Sequence, residues 1–174
     1  GRVHGTARGA AARDGVIHIR RAGALDTRTL ADLLNAIIAK GGTTAMVSPV
    51  TPRELHGWMA APDSAWHLAE DESGRIKGFQ YIEPHPDLPA GGMDVATFVR
   101  VGEKGFGIGS ALFEQTKTAA RDLGYAHIHA IIRADNLGGL AYYQSRGFED
   151  FRRLPDCTLA DGTRVDKIWK RFEL

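Results

Sequence analysis

Residues Val99–Leu112 have the sequence VRVGEKGFGIGSAL, in which glycines stand at positions 105, 107 and 109 between a predicted strand and a predicted helix. Glycine has no side chain, so the backbone amides of such a turn can approach an anion closely. The N-terminus of the following helix adds a favourable dipole. The stretch therefore predicts a phosphate-binding turn, with a tight turn that binds no ligand as the alternative.

The spacing of these glycines excludes the common nucleotide-binding motifs. No Gly-Lys-Ser or Gly-Lys-Thr occurs in the chain, so a P-loop is not expected. A dinucleotide turn needs GxGxxG, but Ser110 and Leu112 stand three residues after Gly107 and Gly109. The chain also lacks the GxSxG of serine hydrolases and the HExxH of metalloproteases.

Outward from the turn, hydrophobic periodicity predicts the element order β-α-α-β-β-β-α-β-α-β-β, a mixed-sheet α/β or α+β domain. Asp26 or Thr27 can cap the first helix, and Thr51-Pro52 has the form of an N-cap and first-turn proline for the second. Glu72-Ser73-Gly74 predicts a hairpin turn, and the proline-rich stretch 84–92 predicts a loop. The predicted strands are Val16–Ala22, Ser64–Asp71, Arg75–Glu83, Met93–Val101, Tyr125–Arg133, Phe148–Arg153 and Arg164–Phe172, and the last helix is Asn136–Arg146.

Composition limits the possible classes of protein. The 174 residues carry 22 Lys and Arg against 21 Asp and Glu, a formal charge of +1, so neither a nucleic-acid surface nor a polybasic membrane patch is expected. The length fits one domain, expected over residues 15–174, with residues 1–14 as a flexible arm or a cloning remnant. A single Cys157, no long apolar run and no secretory signal favour a cytoplasmic protein.

Two motifs resemble the GNAT superfamily of acetyltransferases. Lys104-Gly-Phe-Gly-Ile-Gly109 is similar to the family's Gln/Arg-x-x-Gly-x-Gly/Ala, with Lys at the first position. Downstream, Asn136-Leu-Gly-Gly-Leu-Ala-Tyr-Tyr143-Gln-Ser-Arg-Gly147-Phe148 is similar to its Asn-x(6)-Tyr-x(3)-Gly-Phe helix. Leu34–Pro52 and the terminal DKIWKRFEL are similar to the phosphinothricin acetyltransferase branch.

The resemblance implies a single domain with a mostly antiparallel sheet of six to seven strands flanked by about four helices. It implies acetyl-CoA as co-substrate, no metal, and a homodimer. It places the pyrophosphate on the glycine turn, Asn136 beside the pantetheine arm and the Tyr143 hydroxyl near the thioester sulfur. The implied cofactor-binding residues are Phe98, Val99, Val101, Lys104, Gly105, Phe106, Gly107, Ile108, Gly109, Ser110, Asn136 and Tyr143.

Acetylation of an amine needs a base, because an alkylammonium has a pKa near 10. By resemblance Asp94 stands at the position of the branch's strand glutamate and is the candidate base, a solvated strand-end carboxylate being the alternative. Tyr143, a phenol of ordinary pKa about 10, is the candidate acid for the CoA thiolate, while packing is expected for Tyr142. The family's splayed fourth strand implies an oxyanion donor among the N–H groups of Phe98 and Val99.

Other reactive side chains have weaker claims. Cys157 has no recognisable His partner, so a packed thiol is expected. His127 and His129 share a strand face without a visible third ligand, so no metal is expected. His85 could line the acceptor site.

Three functions remain as alternatives: acetylation of a small primary amine, acetylation of protein or peptide N-termini, and a catalytically silent CoA-binding module.

Overall fold

The computed structural model describes residues 15–103 and 105–174, and for Gly105 and Phe106 it describes the backbone alone. Lys104 and the predicted arm at residues 1–14 lie outside the described residues. The strands are Ile17–Arg21 (β1), Ala65–Asp71 (β2), Ile76–Glu83 (β3), Gly92–Val99 (β4), His127–Arg133 (β5), Glu149–Thr158 (β6) and Arg164–Glu173 (β7). The α-helices are Thr27–Lys40 (α1), Pro52–Met59 (α2), Gly105–Asp122 (α3) and Leu137–Ser145 (α4).

The described strands form one seven-stranded sheet in the order β1-β2-β3-β4-β5-β7-β6. Every neighbouring pair is antiparallel except β4 and β5, which are parallel. The predicted mixed, mostly antiparallel sheet with about four helices is confirmed over the described part of the chain. The parallel pair matters most for function, because a parallel connection needs a crossover and α3 supplies it.

The first two helices begin where the sequence predicts, but only one is capped as expected. The Thr51 hydroxyl accepts a hydrogen bond from the Glu54 N–H at 3.1 Å, and Pro52 occupies the first turn of α2. Asp26 precedes α1 without capping it through its side chain. Its carboxylate instead accepts from the Gly23 N–H and pairs with Arg20, both at 2.8 Å. The Asp26 side chain therefore pairs with Arg20, although its position in the sequence favours a helix cap.

Two hydrophobic layers hold the centre of the sheet. On one face α1 and α2 cover an aromatic group in which the rings of Trp66 and Tyr81 stack at 3.9 Å between centroids. On the other face α3 and α4 cover Ile82, Met93 and Ile128. Each such buried side chain contributes about 1.5–3 kcal/mol relative to exposure, so β3 and β4 are held firmly from both sides.

Strand β6 is longer than predicted. It continues past Arg153 to Thr158, with register shifts between Leu154 and Cys157 that carry it past Pro155. Proline is tolerated there because β6 is an edge strand and one side of its ladder has no strand partner. Within the described residues, no helix combines the length and apolar character that crossing a membrane requires.

Candidate active site

The sheet opens between β4 and β5. These strands pair over only three residues of β4, Gly92–Asp94. Beyond that point β4 remains paired with β3 up to Val99, and β5 remains paired with β7 up to Arg133. The facing edges of β4 and β5 therefore present backbone N–H and C=O groups that can pair with an extended ligand.

The register decides which β4 amides face this gap. The Arg100 N–H donates to the Lys77 carbonyl at 2.8 Å, and bonded and non-bonded pairs alternate along an antiparallel ladder. The N–H of Phe98 is thus directed to β3, and those of Val99 and Thr97 to the gap. Of the two predicted backbone donors, Val99 has the suitable direction, whereas Phe98 has its N–H toward β3 and its ring in the core.

A cavity of about 730 Å³ occupies the gap. This volume lies within the range of small-molecule sites, roughly 300–1,000 Å³. The cavity brings together predicted catalytic and predicted cofactor-binding residues that lie far apart in the chain. Its lining includes Asp94, Phe98, Val99, Val101, Gly109, Asn136 and Tyr143.

The glycine turn leads directly into α3, as predicted. A Cβ built on Gly107 would meet no atom within 4 Å, so a ligand can approach its backbone. A Cβ on Gly109 would lie 2.5 Å from the ring of Tyr142. Gly109 is therefore required for packing against α4, and Gly107 is the glycine whose open surroundings suit a ligand.

The other residues of the predicted pyrophosphate site contribute differently. Ile108 buries its side chain against Leu112, so only its backbone is available to a ligand. Lys104 and the side chain of Phe106 lie outside the described residues. The Ser110 hydroxyl stands on the first turns of α3, where it accepts a hydrogen bond from the Arg146 guanidinium.

Arg146, which the sequence did not indicate, lies next to the predicted pyrophosphate site but outside the cavity lining. It follows α4, 36 residues after Ser110, and its guanidinium lies beside the start of α3. An arginine next to a helix N-terminus suits a phosphate, because it can donate two parallel hydrogen bonds. No local pattern could have identified it, since the contact depends on the packing of α4 against α3.

Tyr143 lines the cavity from α4 and is 6% exposed. Its hydroxyl shares a hydrogen bond of 2.8 Å with the Thr97 hydroxyl on β4. Burial raises the pKa of Tyr143 well above its ordinary value. The phenol therefore keeps its proton throughout the physiological range, but it is a weaker acid than its ordinary pKa implies. Thr97, which the sequence did not single out, fixes the position of that hydroxyl.

Tyr142 has the packing role that was expected. Its hydroxyl donates to the Gly109 carbonyl at 2.7 Å and accepts from the Gln80 amide at 3.1 Å. Burial raises its pKa to about 12. These contacts join α4 to α3 and to β3, so Tyr142 supports the wall on which Tyr143 stands.

Asn136 lines the cavity, but protein groups already occupy its amide. The Oδ1 atom accepts from the Gly139 N–H at 3.0 Å and caps α4, while Nδ2 donates to the Thr43 carbonyl at 3.1 Å. Arg133 donates to the neighbouring Thr44 carbonyl at 3.1 Å. Together they fasten the loop after α1 over one side of the cavity.

Asp94 is half-buried in the lining of the cavity, at the point where β4 and β5 part. Burial raises its pKa from 3.8 to about 7, and the negative charge of Glu83 adds to the rise, while the Val95 N–H and Lys167 oppose it. A carboxylate with this pKa is a better base than an ordinary aspartate, and about half of it is still ionised at neutral pH. The environment therefore matches the role predicted for Asp94.

Glu83 was missed by the sequence analysis. It is the register partner of Asp94 on β3 and lines the same cavity. The sequence could have indicated it. Glu83 and Asp94 lie on either side of loop 84–91, which joins two antiparallel strands, and residues in such positions face each other across the strands.

The remaining candidates divide between cavity and core. His85 lines the cavity, and its Nδ1 accepts from the Asp87 N–H at 3.1 Å. His129 is fully buried and accepts from the Trp169 indole at 2.8 Å, which gives it the expected packing role. Cys157 lies on β6 outside the cavity lining. The described residues hold no group of three or more side chains suited to a metal ion.

Comparison with known proteins adds a family and a fold. Residues 35–148 match the model of the acetyltransferase (GNAT) family. A Bacillus subtilis (strain 168) protein provisionally named a phosphinothricin acetyltransferase is 27% identical over 145 residues, which cover 81% of this chain and 89% of that protein.

Two solved structures share the fold at lower identity. A phosphinothricin acetyltransferase from Sinorhizobium meliloti, in complex with acetyl-CoA, superposes with a TM-score of 0.80 at 21% identity over 91% of this chain and 88% of that one. A ribosomal-protein-alanine N-acetyltransferase from Brucella melitensis gives 0.81 at 22% identity over 90% and 99%. Proteins named for a small acceptor and for a protein acceptor are thus about equally similar in fold.

Proposed function

The chain belongs to the GNAT family of acetyl-CoA-dependent N-acetyltransferases, and from that premise we propose that it acetylates a primary amine of a small molecule by direct transfer, with Asp94 as base. The observation that carries the proposal is Asp94 itself, half-buried in a cavity with its pKa raised to about 7. Because the cavity also contains the Tyr143 hydroxyl, a proton acceptor and a proton donor line one small space.

The residues present fit acetyl-CoA. The open surroundings of Gly107 and the guanidinium of Arg146 suit its pyrophosphate at the start of α3. The unpaired edges of β4 and β5 suit the amides of its extended arm. When bound, acetyl-CoA supplies the thioester whose carbonyl carbon forms a bond to the amine nitrogen as the bond to sulfur breaks.

The chain's own residues move the protons and stabilise charge. Asp94 removes a proton from the acceptor ammonium, directly or through one water. The Val99 N–H, directed into the gap, donates to the developing oxyanion. The Tyr143 hydroxyl, oriented by Thr97, donates toward the departing sulfur. Because the pKa of Tyr143 is raised, its main contribution is a hydrogen bond to the sulfur rather than complete proton transfer. That hydrogen bond strengthens as negative charge develops on sulfur.

Enclosure favours a small acceptor over a protein N-terminus. The loop after α1 is held over the cavity by bonds from Arg133 to the Thr44 carbonyl and from Asn136 to the Thr43 carbonyl. A peptide acceptor needs an open groove across β4 and β5, and this loop restricts one. A silent CoA-binding module would have no use for a carboxylate of raised pKa in the same cavity as a buried phenol.

The test is a screen for thiol release from acetyl-CoA with amino acids, polyamines, aminoglycosides and peptides as acceptors, with products identified by mass spectrometry. The expected result is acetylation of a small amine that is strongly reduced at neutral pH in Asp94→Asn and unchanged in Asp32→Asn. Asp32 is a suitable control because it is exposed on α1. Acetylation of peptides alone would favour the protein acceptor.

We also propose that the enzyme works in the cytoplasm as a homodimer. The phosphinothricin branch and the general frequency of two-fold dimers support the dimer. A single Cys157, with no possible internal disulfide, suits a reducing compartment. Sedimentation equilibrium at micromolar concentration checks the assembly, and a mass of one chain would refute it.

A further inference from the structure

The acceptor side of the cavity contains two carboxylates side by side. Glu83 and Asp94 are register partners on β3 and β4. Partners in an antiparallel pair project to the same face, with Cβ atoms roughly 5 Å apart. Both line the cavity and both are half-buried. Two negative charges at this distance repel each other unless a cation or a proton lies between them.

The groups that face this pair offset its negative charge only in part. From β3 the Tyr81 ring lies on the same face, from β5 His129 is the register partner of Asp94, and from β7 Lys167 lines the opposite wall. His129 bonds to Trp169, and burial lowers its pKa to about 4, so it is neutral. The charge of Lys167 lowers the pKa of Asp94 and that of His85 lowers the pKa of Glu83, but in both cases burial is the larger effect and the net pKa is raised.

We propose that Glu83 is the ammonium-binding residue of the acceptor site, where its carboxylate holds the cationic amine beside Asp94 and strengthens Asp94 as a base. This inference rests on the proposed function. An ammonium has three N–H donors, so it can bond to both carboxylates at once. One proton then passes to Asp94 and leaves a neutral amine, and the negative charge of Glu83 stabilises the positive charge that returns to the nitrogen as it attacks the thioester carbon.

The arrangement assigns different tasks to two similar groups. Burial raises the pKa of Glu83 as well as that of Asp94. The charge of Glu83 makes Asp94 harder to ionise, and hence a better proton acceptor once ionised. The site therefore selects acceptors that arrive as primary ammonium ions over neutral amines or alcohols.

The first test needs no acceptor. The carbon-13 shift of the Asp94 side-chain carboxyl, assigned with Asp94→Asn, is followed against pH in the wild-type protein, Glu83→Gln and Glu149→Gln. Glu149 is exposed on β6 and serves as the matched control. We expect Glu83→Gln to lower the Asp94 midpoint by about one pH unit or more, since a like charge near 5 Å is removed, and Glu149→Gln to leave it in place.

The second test uses an amine that the acetylation screen identifies. Glu83→Gln should raise the KM for that amine roughly tenfold to a hundredfold, as loss of a hydrogen bond to a charged group does. The KM for acetyl-CoA should not change, and Glu83→Asp should recover part of the loss. The acid limb of kcat/KM should move to lower pH with the NMR midpoint.

An unchanged Asp94 midpoint, or an unchanged KM for the amine, in Glu83→Gln overturns the proposal. Failure of the proposed function has a different signature, since no amine is then acetylated by the wild-type protein, while the NMR midpoint still decides whether Glu83 acts on Asp94. If Glu83→Gln does not fold, Glu83→Asp and Glu83→Ser provide the same comparison of charge retained against charge removed.

Discussion

Replacing Asp94 by Asn should stabilise the protein at neutral and alkaline pH. The native pKa of about 7 lies above the ordinary value of 3.8. Between these values the native state binds more protons than the unfolded state, so the free energy of unfolding falls as pH rises. Each pKa unit corresponds to about 1.4 kcal/mol, which gives a cost of at most about 4 kcal/mol that is fully present above pH 7.

Asparagine has a similar shape and no charge to bury, so Asp94→Asn removes this cost. Urea unfolding followed by circular dichroism at intervals from pH 4 to 8 should show a stability difference near zero at pH 4. The variant should become more stable by up to about 4 kcal/mol at pH 8. For a chain of this size each kcal/mol corresponds to a rise in Tm of roughly 2–4 °C.

Asp32→Asn, on the exposed face of α1, is the control and should show no comparable dependence on pH. A variant Asp94→Asn that is less stable than wild type at pH 8 would refute the reasoning, as would a stability difference that stays constant from pH 4 to 8. In either case Asp94 would be an ordinary structural carboxylate, and the strain expected of a buried catalytic base would be absent.

Three further outcomes are expected. Tyr143→Phe should lower kcat about a hundredfold with little change in acetyl-CoA affinity, whereas Tyr142→Phe should lower the free energy of unfolding by about 1 kcal/mol. If chemistry limits the rate and Tyr143→Phe stays within about twofold of wild type, Tyr143 has only a packing role. Gly107→Glu should weaken acetyl-CoA binding in calorimetry, while Gly57→Glu, also in open space on a helix, should not; equal affinities would remove the glycine turn from the cofactor site. Thr51→Ala should lower the free energy of unfolding by about 1 kcal/mol through loss of the α2 cap, with exposed Ser48→Ala as the unaffected comparison.

The fold was largely predictable because its signals are local. Thr51-Pro52 supplies a cap and a first-turn proline within two residues, and the hydrophobic period predicts the order of helices and strands. Asp26 shows the limit of such signals, since Arg20, which pairs with it, lies on the strand before the helix. Strand β6 was underestimated because Pro155 reads as a terminator unless the strand is known to lie at an edge.

The sequence motifs identified the main residues of the candidate site, but not the residues that contact them. Asp94 and Tyr143 were identified by resemblance, and the structure places both in one cavity. Thr97 and Arg146 were missed, because their contacts with Tyr143 and Ser110 span 46 and 36 residues of sequence. The raised pKa of Tyr143 was also beyond the sequence, since it is a consequence of burial.

The central claim is that Asp94 deprotonates a small amine, and the pH dependence of kcat/KM for wild type and Asp94→Asn tests it most directly. Without its base the variant depends on the neutral fraction of an amine whose pKa is near 10. With the Asp94 pKa at about 7, the ratio of wild-type to variant kcat/KM should be flat below pH 7. Above pH 7 it should fall about tenfold per pH unit toward the pKa of the amine. A ratio that stays constant from about pH 6 to 9 would contradict the account.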